Sequence, residues 1–241
     1  LNVNPPFSIG GLSSDLQLKA AKNIDVTRSL SGCVRNFKLN NLPLDDLSAE
    51  EGVEPCADNV EPGTFFSIDG GHLILSDNFK VGLDLDLQLE IKPRSMDGMI
   101  MYVSASTSTD FLALQLVNGN LTFSVDNGAG IISATYSPAE ATGLCDGSWH
   151  SVQAVKAKNL VTLSVDGVFV KPGIGQIGIS SADTNDPLYI GGIPDAPLPG
   201  VLTQSQFVGC IRDVYFNQKI RSLADASELV GTVTLNSCPT T

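Results

Sequence analysis

Alternation dominates the centre of the chain. Val81, Leu83, Leu85, Leu87, Leu89 and Ile91 interleave with Gly82, Asp84, Asp86, Gln88, Glu90 and Lys92, a period of two over twelve residues that predicts a strand with one wet face. Leu112–Leu116 and Leu121–Val125 read as two further strands, because Asn118-Gly119 between them supplies the positive φ angles of a tight hairpin. Asp126-Asn127-Gly128 marks another turn, and Trp149–Val155, Leu160–Val165 and Asp166-Gly167 repeat the same strand and turn grammar. Helical periodicity is scarce and no βαβ alternation is visible. The fold class expected is therefore all-β: short antiparallel strands in a two-sheet β-sandwich or jelly roll, whose facing apolar rows form the core.

The chain also repeats itself. Phe7-Ser-Ile-Gly-Gly11 is echoed by Leu188-Tyr-Ile-Gly-Gly192, and Leu30-Ser-Gly-Cys-Val-Arg-Asn36 by Phe207-Val-Gly-Cys-Ile-Arg-Asp213, with Cys33 and Cys210 lying 177 residues apart. A second cysteine follows each motif, Cys56 and Cys238, shortly before the unit ends. One unit is thus expected to span about 180 residues, with residues 1–58 the C-terminal part of one copy and residues 59–241 a complete one. Ala57–Gly63 joins them. The strands of residues 1–58 would lack the rest of their sandwich, so frayed or swapped edges are expected there.

Composition narrows the function. Hydrophobic residues make up 42% of the 241 residues, enough for a folded core, and 14 Lys and Arg against 26 Asp and Glu give a net charge of -12. Nucleic acid is excluded as an expected partner, since phosphate binding needs a basic surface. Any polyanion must exploit something local. No apolar run reaches membrane-spanning length, and no charged and apolar leader opens the chain, so neither a membrane span nor a signal peptide is expected.

The five cysteines form no C-x-x-C pair, and apart from Cys145 they lie far from His72 and His150, so a zinc site is not expected. The repeat pairs Cys33 with Cys56 and Cys210 with Cys238. Each bridge contributes roughly 3 to 4 kcal/mol on a chain-entropy argument and implies an oxidising, extracellular setting. Four free thiols in a cytosolic chain is the alternative, and it leaves the recurring pair unexplained. Cys145 is left over, either as a buried thiol or as the partner of a cysteine upstream of residue 1.

Gly191-Gly192 followed by Gly209-Cys-Ile-Arg-Asp-Val214 and Cys238, with Asp146-Gly-Ser-Trp-His150 before a strand, resembles the laminin G-like module. Phe79–Leu85, Val125–Gly130, Ser181–Pro187 and Ser237–Thr241 look most like the fifth, C-terminal G-like module of a laminin α chain, with the tail of the fourth before it. The two copies abut, whereas neurexin, agrin and perlecan usually place EGF-like modules between theirs. The resemblance implies a concanavalin-like sandwich and a secreted adhesion module of the extracellular matrix and basement membrane.

Two carboxylates stand out at strand edges. Asp110 opens the strand at Phe111, and Asp183 sits in the turn Ser181-Ala-Asp-Thr-Asn-Asp-Pro187. By themselves they are either solvated turn residues or ligands of a hard cation, which needs several oxygens. The resemblance implies that both hold one Ca2+, helped by the main-chain carbonyls of Asn127 and Ser181. Four protein ligands would leave positions open for an acidic sugar of a receptor glycan of the dystroglycan type, with heparan sulfate and sulfatide bound weakly. Other laminin chains would be reached through the parent chain. Lys156, Lys158 and Lys171 are the candidates for a weak basic rim, or else merely aid solubility.

Asn120-Leu-Thr122 is either a glycosylation acceptor or an unmodified turn. His150 is expected to be structural. A glycoside hydrolase would need two carboxylates across a groove, and Glu90, Glu140 and Glu228 form no such pair in the sequence, so no enzyme is expected. The competing readings are a G-like module of the neurexin, agrin or perlecan type that binds a protein, a globulin-type carrier of a small apolar ligand, and a spacer without calcium.

Overall fold

The computed structural model describes residues 59–194 and 197–240, and before them only 7–12, 29–30, 37–43, Leu16, Ala20, Val34 and Val53. The chain divides into two compact units, Leu1–Cys56 and Ala57–Thr241. The first contains a hairpin, β1 (Lys38–Leu39) and β2 (Leu42–Pro43), turned by Asn40 and Asn41 at φ 52° and 63°. The Cys33–Cys56 bridge expected from the repeat lies outside the described residues.

The second unit is built from β3 (Val60–Glu61), β4 (Thr64–Ser76), β5 (Asp84–Pro93), β6 (Gly98–Ser104), β7 (Phe111–Val117), β8 (Asn120–Asp126) and β9 (Ile131–Tyr136). After them come β10 (His150–Ala157), β11 (Leu160–Val165), β12 (Val168–Phe169), β13 (Gly173–Ile174), β14 (Leu188–Ile190), β15 (Gly209–Phe216), β16 (Lys219–Ile220), β17 (Glu228–Thr234) and β18 (Cys238–Pro239). The strands run antiparallel in the order β12-β11-β10-β5-β15-β4-β14-β6-β7-β8-β9. This path curls into a jelly-roll sandwich. Strand β4 belongs to both layers: Thr64–Phe66 pair with β15, and Leu73–Ser76 with β14. It turns between them at Gly70 and Gly71, beside Gly231 of β17. A side chain on Gly231 would meet the Gly70 carbonyl oxygen at 2.5 Å, so the two strands can bend together only with glycine at the crossing.

The core lies between the layers. Leu85, Leu87, Leu89 and Ile91 of β5 are buried in one cluster with Leu112, Leu114 and Leu116 of β7, Leu121, Phe123 and Val125 of β8, and Val161, Leu163 and Val165 of β11. Each such side chain contributes about 1.5–3 kcal/mol by leaving water. The alternation departs from expectation at one end. Leu83 is 49% exposed, because Gly82 takes φ 68° and bridges Ala182, which breaks the pleat before β5 begins at Asp84. Strand β7 is buried on both faces: residues 198–202 cross its outer side, where Gln115 Nε2 donates to the Gly200 carbonyl and the Leu202 amide donates to Gln115 Oε1, both at 2.9 Å.

Cys210 and Cys238 form a disulfide, as the repeat predicts. Cys145 is a half-buried free thiol whose pKa is raised by burial and by Asp146.

His72 on β4 is buried against Tyr189 with its Nδ1 unpartnered, and burial lowers its pKa. The folded state therefore binds the proton less readily than the unfolded chain. The stability this neutral histidine contributes is complete above the ordinary histidine value of about 6.5 and is lost as pH falls through the folded value. Urea unfolding of wild type and His72→Phe should diverge below about pH 6.5, the wild type losing more stability on acidification. Parallel pH curves would overturn this.

Candidate functional site

Three loop segments converge at one end of the sandwich. The first is the β6–β7 connection, closed where the Ala105 amide donates to the Asp110 carbonyl at 3.0 Å. The second is the β8–β9 hairpin loop, where Asp126 Oδ1 accepts from the amides of Gly128 (2.8 Å) and Gly130 (3.2 Å), an Asx turn that shapes the loop. The third is the stretch before β14. Its Ala182 bridges Gly82 through bonds of 2.9 and 3.0 Å, Thr184 Oγ1 accepts from the Val81 amide at 3.0 Å, and the amides of Asn185 and Asp186 donate to the Ser104 carbonyl at 3.2 and 3.1 Å.

This lacing sets Asp183 beside Asp110, although 73 residues separate them: the Asp183 amide donates to Asp110 Oδ2 at 2.7 Å. Asp110 is buried, and its Oδ1 faces Gly128. Asp183 is exposed, and Ser181 Oγ donates to its Oδ1 at 2.5 Å. Asn127 is buried; its Nδ2 donates to the Ile179 carbonyl at 2.9 Å, and its Oδ1 has no hydrogen-bond partner. The local donor set is all oxygen: two carboxylates, an orphaned amide oxygen and loop carbonyls. That chemistry suits a hard cation such as Ca2+ and not a soft metal. Among the described residues no group of three or more His, Cys, Asp or Glu side chains gathers, so an ion here would depend on carbonyls as well as on the two carboxylates.

The family model of the laminin G domain matches residues 91–219, more than half of the chain. The chain belongs to the laminin G domain family. Mouse laminin subunit alpha-1 is 37% identical over 248 residues, covering 99% of this chain and 8% of its own length. Mouse laminin subunit alpha-4 is 32% identical over 242 residues, covering 99% and 13%. The chain thus spans about a tenth of the length of these curated relatives. Among solved structures, mouse laminin alpha1 chain, domains LG4-5, superposes with TM-score 0.72 at 35% identity, covering 83% of this chain and 55% of that one. The LG1-3 region of the laminin alpha2 chain shares the fold, with TM-score 0.63 at 19% identity over 95% of this chain and 43% of that one.

The laminin G fold corrects one expectation outright. Lys156 cannot form part of a basic rim, because it is 0% exposed and its ammonium is spent on main-chain carbonyls inside the molecule. Its place in β10 alternates with Val155 and Ala157, which a sequence reading assigns to either face. Lys158 and Lys171 are exposed. Asn120 is half-buried at the start of β8, with Nδ2 donating to the Val117 carbonyl at 3.3 Å.

His150 is held between two turns of this laminin G unit, Nδ1 2.8 Å from Asp166 Oδ2 and Nε2 3.2 Å from Asp146 Oδ1. Glu90 pairs with Arg212 at 2.6 Å, and that guanidinium lies 4.0 Å over the Trp149 ring. Sequence reasoning missed this pair, the Asn127–Ile179 bond and the clip of Ser104 Oγ to Asp186 Oδ2 at 2.9 Å. Each joins residues far apart in sequence, and no local pattern signals them.

Proposed function

We propose that this chain is a secreted adhesion module of a laminin α chain in the basement membrane, which binds acidic glycans of cell-surface receptors through Ca2+. The observation that carries the reading is the contact of the Asp183 amide with Asp110 Oδ2 at 2.7 Å, on a rim of oxygen donors. Asp110 and Asp183 would hold the ion with the carbonyls of Asn127 and Ser181. Calcium takes six to eight oxygens, so four from the protein leave room for a sugar carboxylate or sulfate. The ion would supply the positive charge that a chain of net charge -12 lacks. Asp183 is the exposed partner and Asp110 the buried one. A glycan of the dystroglycan type fits best; heparan sulfate and sulfatide should bind weakly, since Lys156 is withdrawn into the interior. Residues 1–58 belong in this reading to the end of a preceding G-like module, and Asn120 is the candidate glycosylation acceptor of the complete module, residues 59–241.

Calorimetric titration with calcium, followed by surface plasmon resonance against a glucuronate-bearing glycan, tests the reading. Wild type should bind calcium in the range of about 10⁻⁴–10⁻³ M typical of extracellular modules. Asp183→Ala should weaken both calcium and glycan binding by about tenfold or more. Equal calcium affinity in the two proteins would remove Asp183 from the site, and glycan binding undiminished by chelator would remove the ion.

A further inference from the structure

Beneath this rim lies a charge that the calcium reading does not use. Lys156 Nζ lies within hydrogen-bond distance of four main-chain carbonyls, Gly82 at 2.9 Å, Leu83 at 2.8 Å, Lys158 at 3.0 Å and Ser180 at 2.7 Å, so its three protons are shared among four acceptors. Such surroundings select the ammonium over the amine. An ammonium presents three protons and no lone pair, whereas a neutral amine would turn a lone pair toward carbonyl oxygens. Burial pulls the Lys156 pKa down, and the charges of Asp84, Asp110 and Asp183 oppose that shift. The four carbonyls belong to three stretches of chain: the turn before β5, the β10–β11 turn, and the segment that leads into Ser181 and Asp183.

We propose that Lys156 is a positioning residue for the rim, a resident cation that holds residues 180–183 in place before any ligand arrives. Residues 175–181 leave the sheet between β13 and Ala182, and the Ser180 carbonyl is held by the ammonium one residue before Ser181 and three before Asp183. A loop ordered in advance does not spend binding energy on its own ordering. Without the ammonium, the Gly82 and Leu83 carbonyls would keep the amides of Ala182 (3.0 Å) and Lys158 (2.9 Å), whereas the Lys158 and Ser180 carbonyls would lose this donor, and the stretch freed toward water is the one that runs from Ser180 to the exposed Asp183. The inference rests on the calcium reading only where it concerns metal affinity.

Amide hydrogen exchange of metal-free Lys156→Met tests the pin directly. Exchange at Ala182 and Asp183 should accelerate about tenfold or more, while the amides of β7 and β8 stay within about twofold of wild type. Unchanged exchange at Ala182 and Asp183 would overturn the proposal. In Lys156→Ala, added propylammonium should restore slow exchange where 1-propanol does not; rescue by both would mean that only volume matters, and would also overturn it.

Calcium affinity supplies a separate arm. Lys156→Met should bind calcium about fivefold or more weakly. Equal or tighter binding would mean that the ammonium merely repels the ion, and the positioning role fails. A wild type that ignores calcium sinks the proposed function, yet leaves the exchange results to judge Lys156. Should neither variant fold, the wild-type ammonium can be observed itself: a caged one keeps a slowly exchanging proton–nitrogen signal near neutral pH, and a rapidly exchanging one contradicts the cage.

Discussion

Gly191→Ala is expected to destabilise the second unit by about 2–5 kcal/mol. Two costs add. Gly191 adopts φ 85°, a left-handed conformation that penalises a side chain by roughly 1–2 kcal/mol. An added Cβ would also lie 2.0 Å from Cε1 of Phe66, a fully buried ring in the core, and overpacking of that kind costs about 1–3 kcal/mol more. The backbone cannot retreat, because the Gly191 amide donates to the Ile100 carbonyl at 2.9 Å and its carbonyl accepts from the Phe207 amide at 2.8 Å. At roughly 2–4 °C per kcal/mol for a unit of this size, the melting temperature should fall by about 4–20 °C. A thermal transition coincident with that of wild type would show that Phe66 can step aside freely. The repeat carries the same conformation: Gly10, the counterpart of Gly191, has φ 83°.

Removal of the Cys210–Cys238 bridge, by Cys210→Ala with Cys238→Ala, is the second large effect. The bridge closes a loop with a sequence separation of 28, worth about 3–4 kcal/mol of denatured-state entropy. It also tethers the final strand, since β18 pairs with β3 through Cys238 and Glu61 while Cys210 sits in β15 between β4 and β5. Both cysteines are fully buried against Phe65 and Trp149, so alanine leaves space there as well. The urea midpoint should drop accordingly, and reduction of the wild type should move it in the same direction. A midpoint unchanged by both treatments would mean that the neighbouring pairs hold the strand unaided.

Much of the architecture is legible along the chain because a strand sends successive side chains to opposite faces. Leu85, Leu87, Leu89 and Ile91 are buried while Asp86, Gln88 and Glu90 lie at the surface boundary, as their alternation requires. Asn118 and Gly119 take φ 49° and 79°, and Asp166 and Gly167 take 51° and 76°, so both turns follow from residue type. Leu83 shows where the rule stops: it fits the period, but Gly82 ends the pleat before reaching it. Lys156 shows the same limit in reverse, since its charge marks it for solvent while four carbonyls have drawn it inside.

The amino-acid sequence by itself determined the strand class, the turn positions, the repeat, the pairing of Cys210 with Cys238 and the likeness to laminin G modules, because each is written in neighbouring residues or in the comparison of two copies. Only the tertiary structure decided that the Asp183 segment lies against Asp110, that Asn127 reaches Ile179, and that Lys156 is caged beneath them. Those contacts depend on sheet order, in which β14 inserts between β4 and β6 and carries its preceding loop across to the end of the sandwich where β7 begins. Hydrophobic periodicity says which face of a strand is buried, and says nothing about which strand lies beside it.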